Sequence, residues 1–480
     1  MSDKPNILIV HTDQHRYDSL SCNGCELIET PVLDALAERG VCFDRAYTST
    51  GICAPERASL LTGLVPVRHG ILVNPESGLA GGKDYRERFG TYPEMLRDAG
   101  YSLYHCGKWH VGRGLGPADF GLEGPDFPGY GNPLGHEDYH GYLESRGLSP
   151  FEVHDTVDLV YRDGVDRGPH LSGVMDGPVE ASVPHYLAEM SRAFIERADR
   201  GDKPWCVRLD FWGPHLPYYL PGEWAAKVDP ADVPQWPNFP DPAEGKPAVH
   251  RLHNDYWGVE EFTWREHSRL VAMYLGCVAL IDHEIGRVLE LVRSLGCLDE
   301  TVVIFTTDHG GMVGSHGLID KGPFMYEETY HTPMIVSFPG RMKEGIRCDE
   351  FVSQIDLMPT ICELAGLAPP EGIDGRSLMP LLTGDGERPR RERVFAEFHG
   401  HQVPFEQRMV RDRRYKYIFN GPDVDELYDL EADPHEMANR IGDASLSGVR
   451  GSLRGALYEW IRKVGDPIAL YYERSRMSAP

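Results

Sequence analysis

Short apolar runs alternate with longer amphipathic segments along the first three quarters of the chain. Five runs are rich in β-branched residues and bounded by turn residues, which predicts buried strands. They span residues 6–10, 101–105, 205–211, 301–306 and 333–338. Apolar residues recur every three or four positions over 268–295, which predicts a long helix, and a shorter helix is predicted to begin at Pro31. Strands that alternate with helices indicate an α/β fold with a mostly parallel sheet covered on both faces.

Two segments interrupt this alternation. Residues 113–180 and 218–258 are rich in Gly, Pro, Asp and His. They are either insertions on the surface or loops that shape a substrate pocket, since loops on rigid scaffolds commonly carry specificity.

The last quarter of the chain has a different organisation. A Pro- and Gly-rich linker over 367–376 is followed by short strand-like pieces and a final helix. The strand-like pieces cover 393–398, 407–411 and 415–419, and the helix covers 453–463. We predict two domains, residues 1–370 and residues 371–480, the second being a small α+β unit.

Composition narrows the class of protein. The 480 residues are 41% hydrophobic and 25% charged, which is typical of a folded globular chain. The formal net charge of −26 argues against nucleic acid or an anionic membrane as a partner. The first apolar run is too short for a signal-peptide core, and no run approaches the length of a membrane span. We therefore expect a cytoplasmic, soluble protein.

Polar residues follow four of the predicted strands. In open α/β sheets, ligands bind beyond the carboxyl ends of the strands. The segments that follow are His11 to Gln14, Cys106 to His110, Trp212 to His215 and Thr307 to Gly311. Together they would bring carboxylates, an amide, imidazoles and a lysine to one edge of the sheet.

Part of this set suits a divalent metal. Asp13, Gln14 and Asp308 offer hard oxygen ligands, which favour calcium, magnesium or manganese, whereas His309 shifts the preference towards manganese or zinc. No further His stands at metalloprotease spacing, so a zinc hydrolase is the weaker alternative. We expect one divalent metal, with Ca²⁺ first and Mg²⁺ or Mn²⁺ as alternatives.

The most specific motif begins at Cys53. The segment Cys-Ala-Pro-Glu-Arg, ending at Arg57 and followed by Thr62-Gly63, resembles the Cys-x-Pro-x-Arg motif of type I sulfatases, in the alkaline-phosphatase-like superfamily. Further motifs arrive in the family's order over about residues 5–440. They are Gly-Lys-Trp-His at 107–110, Pro-His-x-Pro at 214–217, Asp-His-Gly at 308–310 and the lysine at 321. The resemblance implies a large alkaline-phosphatase-like domain with a mostly parallel sheet, followed by a small C-terminal domain with an antiparallel sheet.

The resemblance also implies a mechanism. In that family a formylglycine-generating enzyme oxidises the motif cysteine, and the hydrated, metal-bound aldehyde attacks sulfur in a sulfate monoester of a sugar or aryl alcohol. Cys53 would thus be both the nucleophile and a metal ligand beside Asp13, Gln14, Asp308 and His309. The other roles implied are that Arg57 holds the diol, Lys108 and Lys321 hold sulfate oxygens, His110 accepts a proton from the diol, and His215 donates to the leaving group. We predict that Lys321 shares the charge of the departing oxygen with His215.

Two positions depart from the commonest family pattern. Gln14 stands where many sulfatases carry Asp, and His309 where many carry Asn. Both variants resemble choline sulfatases and the phosphonate monoester hydrolases or phosphodiesterases of the same superfamily. A phosphonate monoester or phosphodiester hydrolase is therefore the alternative activity, although the intact Gly-Lys-Trp-His motif favours sulfate.

Other interpretations of the motif cysteine remain. Cys53 could be a buried thiol or a plain thiolate nucleophile. A binding protein that has kept only the fold would be expected to lose Cys53, Lys108 or a metal ligand, and all of them are present.

Overall fold

The computed structural model describes residues 4–77, 90–112, 114–127, 130–159, 170–386 and 390–472. In chain order the strands are β1 (Asn6–Thr12), β2 (Val41–Phe43), β3 (Ala46–Tyr47), β4 (Ser102–Gly107), β5 (Val153–Val157), β6 (Ser172–Met175), β7 (Trp205–Asp210), β8 (Tyr218–Pro221), β9 (Thr301–Thr307), β10 (Met334–Ser337), β11 (Ile346–Cys348), β12 (Val352–Ser353), β13 (Val394–Phe398), β14 (Gln407–Arg411), β15 (Tyr415–Phe419) and β16 (Glu426–Asp429). The α-helices are α1 (Pro31–Glu38), α2 (Cys53–Thr62), α3 (Pro66–His69), α4 (Tyr92–Asp98), α5 (Glu137–Ser145), α6 (Val183–Asp199), α7 (Gly222–Ala225), α8 (Val249–Trp257), α9 (Trp264–Ser294), α10 (Glu327–Tyr330), α11 (Leu357–Leu364), α12 (Met379–Thr383), α13 (Ser447–Val464) and α14 (Ala469–Tyr472).

A seven-stranded sheet organises the larger part of the chain. Its strand order is β11-β2-β10-β9-β1-β7-β4. Strands β9, β1, β7 and β4 pair with one another in parallel, as do β2 and β11. Strand β10 runs antiparallel to both of its neighbours, β9 and β2. The five predicted strands all belong to this sheet, which confirms the mostly parallel α/β prediction. Strands β2 and β11 were not predicted, because three residues each are too few to form a pattern.

Both faces of the central sheet are covered. In β1, Leu8 and Val10 belong to one apolar cluster and Ile7 and Ile9 to another, as the alternation of side chains along a strand requires. The first cluster includes residues of α1, α6 and α9, and the second includes residues of α2, α4 and α11. Helix α2 is therefore fixed by packing directly against the sheet.

The two interrupting segments are more regular than loops. Strands β5, β6 and β8 form a three-stranded sheet of their own, and α5, α7 and α8 lie in the same segments. These elements were not predicted, because β5 is short and partly exposed and so lacks a clean apolar alternation. That the segments are surface insertions or shape a substrate pocket stays a prediction. Residues 113, 128, 129 and 160–169 of these segments lie outside the described residues.

The C-terminal part forms the predicted α+β unit. Strands β13 to β16 make a four-stranded antiparallel sheet. One face packs against Leu453, Leu457 and Ile461 of α13, and the other packs against a cluster that includes Tyr326 and Tyr330. Helix α13 begins earlier than predicted, at Ser447. The domain boundary near residue 370 stays a prediction.

The longest α-helix among the described residues is α9, which packs against α1, α6 and α7. It has 31 residues and is amphipathic, with polar residues such as Asp282 buried at the contact with α1. No α-helix in the described part of the chain is both long and apolar enough to cross a bilayer. The cytoplasmic location stays a prediction.

The start of α1 depends on Asp282. The Asp282 carboxylate accepts hydrogen bonds from the backbone N–H groups of Val32 at 3.2 Å and Leu33 at 2.8 Å. These N–H groups have no partner within their own helix, so Asp282→Ala should lower the free energy of unfolding by about 1 kcal/mol. Denaturation in urea measures this loss. The matched control is Asp299→Ala, which removes an exposed partner of Arg39 and should cost far less; equal losses would contradict the capping role.

Candidate active site

The carboxyl ends of four central strands meet at one edge of the sheet. His11 pairs in register with Asp210, and Thr12 pairs with Thr307, so the residues that follow β1, β7 and β9 lie side by side. This confirms that the strand ends converge. Asp13, Lys108 and Asp308 each follow directly from one of these strands.

Gly107 allows β4 to deliver Lys108. Its φ is +106°, and a Cβ at this position would lie 1.8 Å from the carbonyl oxygen of Asp210. Only glycine fits such an approach. The N–H of Lys108 donates to the same carbonyl at 3.0 Å, which fixes the backbone from which the lysine side chain projects.

Four predicted metal ligands gather in one place. The ligand atoms of Asp13, Cys53, Asp308 and His309 all lie within 4.8 Å of one another, and all four residues are buried. His309 donates from Nδ1 to the carbonyl oxygen of Gly310 at 2.7 Å, and its Nε2 lies 3.2 Å from Cys53 Sγ. The ring is thus oriented by a backbone hydrogen bond, as metal-binding histidines usually are.

Gln14 adds a further candidate ligand for a cation. Both its amide oxygen and its amide nitrogen are buried without a hydrogen-bond partner in the described residues. The residue has a φ of +64°, and Tyr274 donates to its carbonyl oxygen at 3.1 Å. A Cβ on Gly311 would come within 2.6 Å of the amide nitrogen, so that glycine leaves room for the side chain. An orphaned amide beside two carboxylates and an imidazole fits a divalent metal.

Arg57 holds the carboxylates of three strands together. Its guanidinium donates to Asp13 at 3.2 Å, Asp210 at 3.0 Å and Asp308 at 3.1 Å. Lys108 Nζ adds a contact of 2.5 Å to Asp13. All of these side chains are fully buried. Arg57 therefore acts on two of the predicted metal ligands, which the resemblance alone did not indicate.

Asp210 is a site residue that the sequence analysis missed. At the end of β7 it accepts hydrogen bonds from Arg208 Nε at 2.6 Å, from Arg57, and from His11 Nδ1 at 2.9 Å. The sequence did offer a sign of this role, because Arg208 and Asp210 are charged residues within an otherwise apolar strand. Charged residues in a buried strand need partners, and here those partners are the active-site cations.

Asn74 was also missed. Its Oδ1 accepts a hydrogen bond from the N–H of Ala54 at 3.0 Å, at the first turn of α2. Its Nδ2 is buried and has no partner among the described residues. A free amide donor next to Cys53, at a helix N-terminus, provides a place for an anion. No spacing motif marks Asn74, since only the tertiary structure brings it to α2.

The electrostatic field around Cys53 favours anions. Burial and the charge of Asp13 would raise the pKa of the Cys53 thiol, but Lys108, Lys321 and His309 together hold it well below its usual value. Burial and the neighbouring Asp13 raise the pKa of Asp308 to about 6. Burial disfavours the charged ring of His309, yet Asp308 and Cys53 outweigh it and raise the pKa to about 9. The nearby cations thus determine the electrostatic field at Cys53, despite the negative net charge of the whole chain.

Lys321 and His215 form a second polar pair. Lys321 Nζ lies 2.5 Å from His215 Nε2, and His215 Nδ1 donates to the carbonyl oxygen of Leu216 at 2.6 Å. Burial and the charge of Lys321 lower the pKa of His215 to about 4, so the imidazole is neutral at physiological pH. With its proton on Nδ1, His215 accepts at Nε2 from the lysine ammonium.

His110 has its hydrogen-bond partner outside the metal-ligand cluster. Its Nε2 donates to Glu76 at 3.0 Å, and its Nδ1 is buried without a partner in the parts of the chain described. Burial would raise the pKa of Glu76, but the hydrogen bond from His110 lowers it below its usual value. Among the described residues, His110 makes no hydrogen bond to Cys53. Its predicted role as a proton acceptor stays a prediction.

The chain belongs to the sulfatase family, whose model matches residues 5–367. A second family model, described as the C-terminal part of N-sulphoglucosamine sulphohydrolase, matches residues 314–463. The resemblance found in the sequence motifs is thereby confirmed. The protein is a hydrolase of sulfate esters.

Particular relatives extend along nearly the whole chain. The uncharacterized sulfatase YidJ of Escherichia coli is 28% identical over 485 residues, covering 98% of this chain and 89% of the relative. The N-acetylglucosamine-6-O-sulfatase of Bacteroides thetaiotaomicron is 27% identical over 513 residues, covering 96% of this chain and 87% of the relative. Among solved structures, the phosphonate monoester hydrolase of Agrobacterium radiobacter has a TM-score of 0.81 at 26% identity and covers 96% of each chain. These neighbours confirm the alkaline-phosphatase-like fold.

The buried carboxylate of Asp210 should be essential for stability. Asp210→Asn would leave Arg208 without its charged partner and remove one of the three carboxylates that Arg57 contacts, so the free energy of unfolding should fall by about 3–5 kcal/mol. Burial opposes the charged form of Asp210, but Arg208, His105 and His11 hold the pKa of its carboxyl group well below its usual value. The contribution is therefore present above about pH 4 and is lost as the pH falls towards the lowered pKa.

Denaturant unfolding of the wild type and of Asp210→Asn between pH 3 and pH 7 measures both effects. The control is Asp349→Asn, an exposed carboxylate bonded to Arg45 and Arg413. A loss of no more than about 1 kcal/mol in Asp210→Asn, the value of an exposed pair, would contradict the role given to Asp210.

Proposed function

We propose that Cys53, after oxidation to formylglycine, provides the nucleophile for hydrolysis of a sulfate monoester of a sugar or aryl alcohol. The observation that carries the proposal is the placement of Cys53 at the N-terminus of α2, with Asp13, Asp308 and His309 ligand atoms within 4.8 Å. Two lysines and a helix N-terminus act on the same point, which suits an anionic substrate. A formylglycine-generating enzyme is the maturation partner that this proposal requires.

One divalent metal belongs to the proposal. Asp13, Gln14, Cys53, Asp308 and His309 would hold it, and the three oxygen-bearing side chains favour Ca²⁺ over Mg²⁺ or Mn²⁺. Such an ion, when bound, lowers the pKa of a coordinated hydroxyl and offsets negative charge on the ester.

The remaining side chains have separate tasks. Arg57 fixes the two ligand carboxylates Asp13 and Asp308, in addition to any contact with the hydrated aldehyde. Lys108 and Lys321 bind sulfate oxygens, since both act electrostatically on the Cys53 position. These are preorganised charges aimed at the place where negative charge develops, which is usually the largest contribution to catalysis.

His110 and His215 have different roles in the proposed reaction. The buried and unpartnered Nδ1 of His110 is the atom available to accept a proton. His215, with Lys321, faces the leaving oxygen. Because His215 is neutral and accepts from Lys321, we assign the hydrogen bond to the leaving oxygen to the pair rather than to the imidazole alone.

Phosphonate monoesters are the second candidate substrates. The observation in their favour is the similarity to the phosphonate monoester hydrolase of Agrobacterium radiobacter, together with Gln14 and His309 at the metal site. Sulfate remains first because both family models describe sulfatases and because a sugar sulfatase is among the relatives.

The matured, metal-loaded enzyme should hydrolyse sulfate esters faster than phosphonate esters of the same alcohol. Values of kcat/KM for sugar sulfates, aryl sulfates, choline sulfate and phenylphosphonate monoesters measure this preference. Cys53→Ala should abolish turnover while the protein stays folded, and Cys53→Ser is the matched variant that keeps a small polar side chain at the same position.

Peptide mass separates the mechanism from the substrate. In active protein, the peptide that contains Cys53 should have lost its thiol and gained a carbonyl. Activity that tracks an unmodified cysteine would overturn the formylglycine mechanism, and a preference for phosphonate esters would overturn the substrate assignment.

Metal content provides a test that does not depend on activity. Elemental analysis of protein purified without added metal should find about one equivalent of calcium per chain. Asp308→Asn should lose it, whereas Asp374→Asn, which removes a carboxylate paired with Arg68, should retain it. Stoichiometric zinc, or two metals per chain, would contradict the assignment.

A further inference from the structure

We propose that Asp320 is a positioning residue. It holds the Lys321 ammonium at His215, so that Lys321 donates a hydrogen bond to the departing oxygen. The hairpin between β13 and β14 holds Asp320 itself in place. The inference rests on the proposed function of the same site. It adds a residue that no sequence motif marked and gives the C-terminal sheet a part in catalysis.

The buried Asp320 and Lys321 form a triangle with the partly buried His215, on the side of the site that we assign to the leaving group. Asp320 Oδ1 lies 3.2 Å from Lys321 Nζ, which lies 2.5 Å from His215 Nε2. The distance from His215 Nε2 to Asp320 Oδ1 is 4.0 Å, so the ammonium lies between the two. Asp320 and Lys321 are each 2% exposed, and water therefore competes little for these contacts.

The C-terminal hairpin holds the other oxygen of Asp320. Gln402 Nε2 donates to Asp320 Oδ2 at 3.3 Å, and His401 Nε2 lies 3.8 Å from the same atom. Both Asp320 and Gln402 have a φ of +59°, a conformation that costs energy for residues other than glycine. Two such residues that meet across the contact indicate that the surrounding structure imposes this geometry.

Asp320 also keeps Lys321 charged. Burial would lower the pKa of Lys321, but negative charge around it, with Asp320 as the largest contribution, raises the pKa above its usual value. The ammonium contacts Asp320 and His215, which fix its direction. Because an ammonium has three N–H groups, one remains available for the departing oxygen.

The step itself needs no other reactant. The nucleophilic oxygen at position 53 forms a bond to sulfur while the bond from sulfur to the ester oxygen breaks, and that oxygen keeps the bonding electron pair. Lys321 Nζ donates a hydrogen bond to that oxygen and stays protonated, because neighbouring negative charge holds its pKa above the usual value. The attacking hydroxyl releases its proton to solvent and the departing oxygen takes one from solvent, so no proton is gained or lost overall.

The test compares leaving groups of different basicity. Poor leaving groups depend on donation far more than activated ones, because more negative charge develops on the departing oxygen. Asp320→Asn should lower kcat for para-methylphenyl sulfate by about 100-fold, the lower end of the effect of losing one donor to a developing negative oxygen. The drop for para-nitrophenyl sulfate should be less than about 5-fold, with KM nearly unchanged for both. Asp320→Glu should recover part of the loss.

Gln402→Ala provides a milder disturbance of the same contact. It removes the donor to Asp320 Oδ2 without altering a charge, so it should produce a smaller loss with the same dependence on leaving group. Asp349→Asn, on the surface near Arg413, is the control and should leave both rates unchanged. Thermal midpoints of every variant report on folding.

The outcomes separate the two proposals. Equal drops for both leaving groups in folded Asp320→Asn and Gln402→Ala would overturn the positioning role and leave Asp320 as a structural residue. The same pair of leaving groups is also assayed as phenylphosphonate esters. If the wild type hydrolyses only the phosphonates, the sulfate assignment fails, while the leaving-group dependence of the variants still tests Asp320.

Discussion

The active site depends on one buried guanidinium. Arg57 donates to Asp13, Asp210 and Asp308, which come from the ends of three neighbouring strands. Three carboxylates at one edge of a sheet would repel one another in a medium of low dielectric constant, so their proximity requires cations. Arg57, Lys108 and Arg208 supply these charges, and the metal proposed above would add to them.

This constraint also determines where the nucleophile lies. Arg57 is on α2, four residues after Cys53, so holding its guanidinium among the carboxylates fixes the first turn of the same helix. Asn74 secures that turn from outside by accepting the Ala54 N–H. The position of Cys53 therefore follows from a charge network as well as from the apolar packing of α2 against the sheet.

Features that depend on neighbouring residues could be predicted from the sequence, whereas contacts between residues far apart in the chain could not. The five predicted strands and the long helix carry their pattern within a few residues, so local periodicity was enough to find them. The motif residues were found because their types and order resemble a known family. Asp210, Asn74 and Asp320 were missed because their partners lie far away in the chain, as in the contact between Asp320 and Gln402. No local pattern records such a contact, and only the folded geometry brings these groups together.

The role proposed for His215 differs from the one that the resemblance implies, for a reason that the sequence does not contain. The resemblance gave the donation to the leaving group to His215, but the hydrogen bond from its Nδ1 to the Leu216 carbonyl leaves only a lone pair at Nε2. The neutral ring can therefore orient a donor, and the ammonium of Lys321 is the donor that it contacts. The site thus has two halves, a carboxylate-rich half around Arg57 and a half around Lys321 that the C-terminal hairpin supports through Asp320. In the proposed mechanism Lys321 contacts the leaving oxygen as well as sulfate, so variation in that hairpin would change the choice of leaving group while the carboxylate-rich half stays intact.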